Sequence, residues 1–124
     1  MRIIKTDKMP RSNGHYSMCI EHNGFLFISG QLPIEGENKT IPETIEDQTL
    51  LVLNKLKLIL EEAGSDIKHV IQLRVYLSNI EMWDKVNVVY AEFFGDHKPV
   101  RAVVPTGELH YGCLIEIEAV AAVN

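Results

Sequence analysis

The sequence predicts an α+β fold, one mixed β-sheet with two helices packed on a single face. Three observations carry the prediction. Two stretches repeat their apolar residues at about 3.6-residue spacing, as amphipathic helices do. The segments around them alternate apolar and polar residues or form short β-rich runs, as strands do. The resulting order is β, β-hairpin, α, β, α, β, β. Strands interleaved with only two helices put both helices on one side of one sheet.

Each element has a local reason. Arg2 to Lys5 is a short strand. Met18 to His22 and Phe25 to Ser29 are strands joined by Asn23-Gly24, a pair that tolerates the positive φ of a tight hairpin turn. Pro33 to Pro42, with Gly36 and Asn38, reads as a loop. Ile45, Thr49, Val52, Leu53, Leu56, Ile59, Leu60 and Ala63 form one helical stripe. Thr44 is its N-cap, with Asp47 three residues on, and Gly64 is its C-terminal stop. Leu50, Leu51 and Leu58 fall off the stripe, as scattered surface leucines or as a subunit contact.

Val70 to Leu77 alternates Ile71, Leu73, Val75 and Leu77 against Gln72, Arg74 and Tyr76, the pattern of a half-buried strand. A second helix spans about Ile80 to Phe94, capped by Asn79 and stopped by Gly95. Met82, Val86, Val89, Tyr90 and Phe93 line its inner face, and Trp83 reads as packing. Val100 to Val104 and Leu114 to Val123 are the last two strands. The sheet's second face must be polar or covered, and Ile, Val and Leu on several strands favour a covering subunit.

The chain has 124 residues, 46% hydrophobic and 23% charged. These are the proportions of one globular domain, here 1–124. Twelve Lys and Arg against seventeen Asp and Glu give a formal charge of −5. An acidic domain is a poor partner for nucleic-acid phosphates. No apolar run approaches the roughly 20 residues that span a bilayer. Met1 to Asp7 is not followed by the apolar core of a signal peptide. Cys19 and Cys113 are too few for a disulfide framework. They are expected to be reduced, small core residues of a cytoplasmic protein.

Motif patterns are mostly negative. There is no phosphate loop, dinucleotide-binding glycine pattern or His-Glu-x-x-His. His15, His22, His69, His97 and His110 lack ligand spacing, so no metal is expected. Ser29-Gly30 is not part of a nucleophile elbow. Two charged residues do stand in apolar strands. Arg101 lies in Pro99-Val100-Arg101-Ala102-Val103-Val104, and Glu116 in Leu114-Ile115-Glu116-Ile117-Glu118. A hairpin across Pro105 to Gly112 would bring them together. An arginine can hold a carboxylate through two parallel N–H bonds, and a nearby glutamate can move protons or activate water. A structural salt bridge on a solvated face is the alternative.

Several segments together are specific. They are Gly14-His15-Tyr16-Ser17, Ile28-Ser29-Gly30-Gln31-Leu32-Pro33, Gln48 with Asn54 and Leu56, and Val86-Asn87 with Tyr90, Phe93 and Phe94. Pro99-Val100-Arg101-Ala102 and Ile115-Glu116-Ile117-Glu118-Ala119 complete the set. In this order, from about Tyr16 to the C-terminus, the sequence resembles the Rid family (YjgF-type, reactive intermediate deaminases, RidA-like). The resemblance implies a chorismate-mutase-like sandwich, related to ferredoxin-like folds, and a homotrimer with three clefts between subunits. It implies hydrolysis of 2-imino acids and their enamine tautomers, such as 2-aminoacrylate and 2-iminobutanoate, to 2-keto acids and ammonia. No cofactor or metal is implied.

Carried over residue by residue, Arg101 matches the arginine that grips the substrate carboxylate. Glu116 matches the glutamate that positions or activates water, and Tyr16 the cleft tyrosine. Ser29 and Gly30 match the cleft wall, and Asn87 a helix asparagine near the site. Three departures stand out. His15 precedes the tyrosine where proline is usual, Val103 replaces a common cysteine, and Leu109-His110-Tyr111-Gly112 replaces a Leu-Pro turn. His110 and Tyr111 either flank the cleft or form a neutral loop variant. Other readings share the same residues. One is a non-catalytic trimer that senses small carboxylates or binds proteins. Another is a ribonuclease or translation inhibitor, disfavoured by the charge. The last is hydrolysis of a related nitrogen compound.

Overall fold

A computed structural model describes all 124 residues. Its strands are β1 (Arg2–Ile4), β2 (Cys19–His22), β3 (Phe25–Gln31), β4 (Val70–Leu77), β5 (Val100–Pro105) and β6 (Ile115–Ala122). Its helices are α1 (Ile45–Glu62) and α2 (Trp83–Phe94), and short 3₁₀ turns stand at Ile67–His69, Ile80–Met82 and His110–Gly112. The order of elements is the one the sequence predicts. The strands form one six-stranded sheet in the order β1-β2-β3-β6-β4-β5. Every neighbouring pair is antiparallel except β4 and β5.

The turn between β2 and β3 is the one its residues favour, with Asn23 at φ 53° and Gly24 at φ 82°. At the start of α1, the Thr44 hydroxyl accepts from the Asp47 amide at 3.1 Å. At its end, Gly64 takes φ 82° and the Ser65 amide returns to the Leu60 carbonyl at 2.8 Å, closing the orphaned carbonyls of the last turn. Val52, Leu53, Leu56, Ile59 and Leu60 are fully or almost fully buried against the sheet. Each such side chain contributes about 1.5–3 kcal/mol of apolar transfer. Leu50 is exposed, as its place off the stripe implies. Asn79 caps the 3₁₀ turn before α2 rather than the helix itself. Cys19 and Cys113 are buried free thiols. Burial pushes the Cys19 thiol up to about 11, against the pull of Arg2.

The hairpin expected between the last two strands does not form. β4 lies between β5 and β6, pairing parallel with one and antiparallel with the other. The Pro105–Gly112 segment therefore spans a strand instead of turning tightly. The register has a sharper consequence. Arg101 stands opposite Leu73, which is buried on the helix side. Glu116 stands opposite Tyr76, between the buried Ile115 and Ile117, and so points to the other face. Within one chain, Arg101 and Glu116 lie two strands apart, about 10 Å, on opposite faces of the sheet.

The helix-free face carries an apolar row in register. Ile3, Ile20, Phe27 and Val120 succeed one another across four strands. Ile3 is 53% exposed and Phe27 50%.

Candidate functional site

The predicted site residues form two groups. The first is Arg101 with Asn87. Arg101 leaves β5 toward α2, where its Nη1 donates to Asn87 Oδ1 at 3.0 Å. Its guanidinium lies 4.6 Å from the Tyr90 ring centroid and 5.5 Å from that of Trp83. The chain's carboxylates form salt bridges with Arg2, Lys8, His69 and Arg74, and none with Arg101.

The second group lies on the helix-free face and joins Glu116, Gly30, Ser29 and Tyr16. The Glu116 carboxylate lies against Gly30 so closely that a Cβ there would stand 2.5 Å from Oε2. Glycine at position 30 is thus what lets the carboxylate sit this close, and a side chain there would push it away. The Gly30 backbone is outside the left-handed region. Burial raises the Glu116 carboxyl above the ordinary glutamate value, the neighbouring Glu118 adds to the rise, and His110 opposes it. Ser29 Oγ donates to the Ser17 carbonyl at 2.5 Å, tying the β3 bulge to the segment that carries Tyr16. Tyr16 is 57% exposed and donates to Ser12 Oγ at 2.7 Å. A shallow depression of about 370 Å³ opens beside them, lined among others by Tyr16, Ser29, Gln72, Arg74 and Glu118.

Several functional neighbours were not evident from the sequence. Tyr76 donates from its hydroxyl to Glu118 Oε1, and Arg74 Nη1 reaches the same oxygen at 3.4 Å. Lys55, half-buried on α1, donates to the carbonyls of Leu32 and Ile34 at 2.7 and 3.1 Å. It fixes the loop that follows Gly30. His110 and Tyr111 stack with ring centroids 3.8 Å apart, and Lys39 lies 5.5 Å over the Tyr111 ring. The spacing of Trp83, Asn87 and Tyr90 at i, i+4 and i+7 was the available signal for a shared helix surface around Arg101. No group of three or more His, Cys, Asp or Glu side chains is placed to hold a metal ion. No helix is long and apolar enough to cross a membrane.

Fold and site define a small α+β protein with an unpaired, pre-held arginine on one face of its sheet and a perturbed carboxyl on the other. Comparisons give this class its family. The family described as Endoribonuclease L-PSP matches residues 6–123. A RutC family protein of Pyrococcus horikoshii is 44% identical over 120 residues, covering 96% of this chain and 95% of that one. The crystal structure of RidA from the Antarctic bacterium Psychrobacter sp. superposes with a TM-score of 0.93 at 30% identity, over 98% of this chain and 99% of that one. The structure of E. coli TdcF with bound serine gives the same TM-score and identity over 98% of each chain. The chain belongs to the YjgF/Rid family and has its chorismate-mutase-like α+β fold.

Proposed function

We propose that this protein hydrolyses 2-imino acids such as 2-iminobutanoate and 2-iminopropanoate, with their enamine tautomers, to 2-keto acids and ammonia. It works in the cytoplasm as a homotrimer whose clefts lie between subunits. The observation that carries this reading is Arg101. Its guanidinium is held in place, has no carboxylate partner in its own chain, and keeps most of its five donors free. A planar fork of this kind suits a small carboxylate held bidentately. TdcF, a structural relative, binds serine, which carries such a carboxylate.

The chemistry needs little more. Water adds to the C=N carbon and loses a proton. The nitrogen gains protons and leaves as ammonia, and the carbon keeps the oxygen as a ketone. Imines do this unaided, so holding the anion, orienting water and moving protons are sufficient help. Glu116, half-buried with a raised carboxyl, is suited to take a proton from water and return it to nitrogen. Tyr16, Ser29 and Gly30 wall its side of the cleft. Since Arg101 and Glu116 occupy opposite faces of one sheet, the cleft uses Arg101 and Asn87 from one copy and Glu116 from the next. The apolar row on the helix-free face supplies surface for that contact.

Freshly generated 2-iminobutanoate, in competition with semicarbazide, tests the activity. Wild type should accelerate loss of the imine and Arg101→Ala should not. Normal turnover by the variant overturns the anchor. Retained 2-ketobutyrate binding without any turnover would favour the carboxylate sensor instead. Light scattering tests the assembly, which a species near 14.0 kDa would exclude.

A further inference from the structure

The Arg101 guanidinium is held mainly by faces, not by charges. The Tyr90 ring lies 4.6 Å from the guanidinium carbon and the Trp83 ring 5.5 Å, both within about 6 Å, the range of cation–π attraction. Asn87 alone takes a hydrogen bond from it. Tyr90 is only 8% exposed, and its hydroxyl has no partner. The ring, not the hydroxyl, makes the contact with Arg101. Trp83 is 38% exposed, at the rim.

We infer that Trp83 and Tyr90 are positioning residues for Arg101, an aromatic clamp that fixes the guanidinium before any carboxylate arrives. The inference rests on the proposed role of Arg101 as carboxylate anchor. Its physical basis is the division of the guanidinium into face and edge. A carboxylate partner within the chain would occupy the N–H edge that a ligand needs. Aromatic rings engage only the π face, and the donors stay free. An unsupported arginine loses rotamer freedom on binding, and a clamped one has lost it already on folding. Trp83, Asn87 and Tyr90 share one surface of α2, so helix formation sets the clamp without help from a loop.

Two measurements on the full-length protein test this. The first is independent of activity. The Arg101 Nε–H proton, assigned by its disappearance in Arg101→Lys, should be displaced upfield by the rings. It should move part of the way toward the position of exposed Arg11 in Trp83→Leu, since the nearer Tyr90 ring remains, and stay fully displaced in Trp83→Phe. An Arg101 signal at the ordinary position in wild type overturns the clamp, whatever the protein catalyses.

The second is titration with 2-ketobutyrate alongside turnover of 2-iminobutanoate. Trp83→Leu should weaken Kd and raise KM by about tenfold, with kcat within about twofold. Trp83→Phe should restore both, and Tyr90→Phe should match wild type because the ring is kept. Wild-type Kd and KM in Trp83→Leu overturn the clamp while leaving the anchor intact. Failure of wild type both to bind the keto acid and to turn over the imine overturns the anchor instead, and the proton shift alone then decides whether the rings hold the guanidinium.

Discussion

Gly30→Ala separates catalysis from stability. The added methyl would stand 2.5 Å from Glu116 Oε2 and 3.2 Å from Cδ. Ordinary contact begins near 3.4 Å, so the carboxylate oxygen must retreat by about 0.9 Å. It is the far end of a flexible side chain, and the backbone at Gly30 suits alanine. Loss of unfolded-state freedom offsets part of the rotamer cost, leaving stability within about 1 kcal/mol of wild type. A displacement near 1 Å at a catalytic group costs about 100-fold in rate, or about 2.7 kcal/mol of barrier. The assay pairs a thermal melt with imine consumption under semicarbazide competition. The melting temperature should stay within about 5 °C while kcat/KM falls about 100-fold. An unchanged melt with unchanged kcat/KM would refute the assignment of Glu116 as the water-handling group.

Other outcomes follow from the same geometry. The Glu116 carboxyl is raised by burial, so its folded-state proton is held more tightly than its unfolded one. Glu116→Gln should therefore raise the melting temperature at neutral pH and confer no gain below the ordinary glutamate range, while abolishing turnover. With Glu116 acting ionised, kcat/KM should fall on acidification through a value above 4.5, and His110→Gln should move that limb upward because His110 opposes the rise. Tyr90→Phe removes an unpartnered buried hydroxyl and should leave stability unchanged or raise it by about 1 kcal/mol in denaturant titration. Leu56→Ala, at a fully buried position of α1, should cost about 2–5 kcal/mol in the same titration.

Local structure was legible wherever local chemistry decides it. The α1 stripe, its Thr44 cap and Gly64 stop, and the Asn23-Gly24 turn all follow from neighbouring residues. The neighbours of β5 do not. Alternation shows that a strand has two faces but not which strand lies beside it, and the insertion of β4 between β5 and β6 is a long-range choice. The site shows the same division. Motifs singled out Arg101, Glu116, Tyr16, Ser29, Gly30 and Asn87 individually. Only the register shows that Arg101 and Glu116 look away from each other. Trp83 and Tyr90 read as core because helical periodicity does not distinguish a ring against leucine from a ring against a guanidinium.

The opposed placement of Arg101 and Glu116 makes the proposed reaction a property of neighbours. Arg101→Ala and Glu116→Gln chains, each inert alone, should complement one another when unfolded together and refolded as mixed trimers. In the proposed trimer, random mixing in equal amounts pairs an intact arginine with an intact glutamate at about a quarter of the clefts, since head-to-tail contacts would draw the two residues from different copies. Activity should also fall faster than protein concentration on dilution, as subunits part. A lesion in one allele would then be partly masked by a different lesion in another.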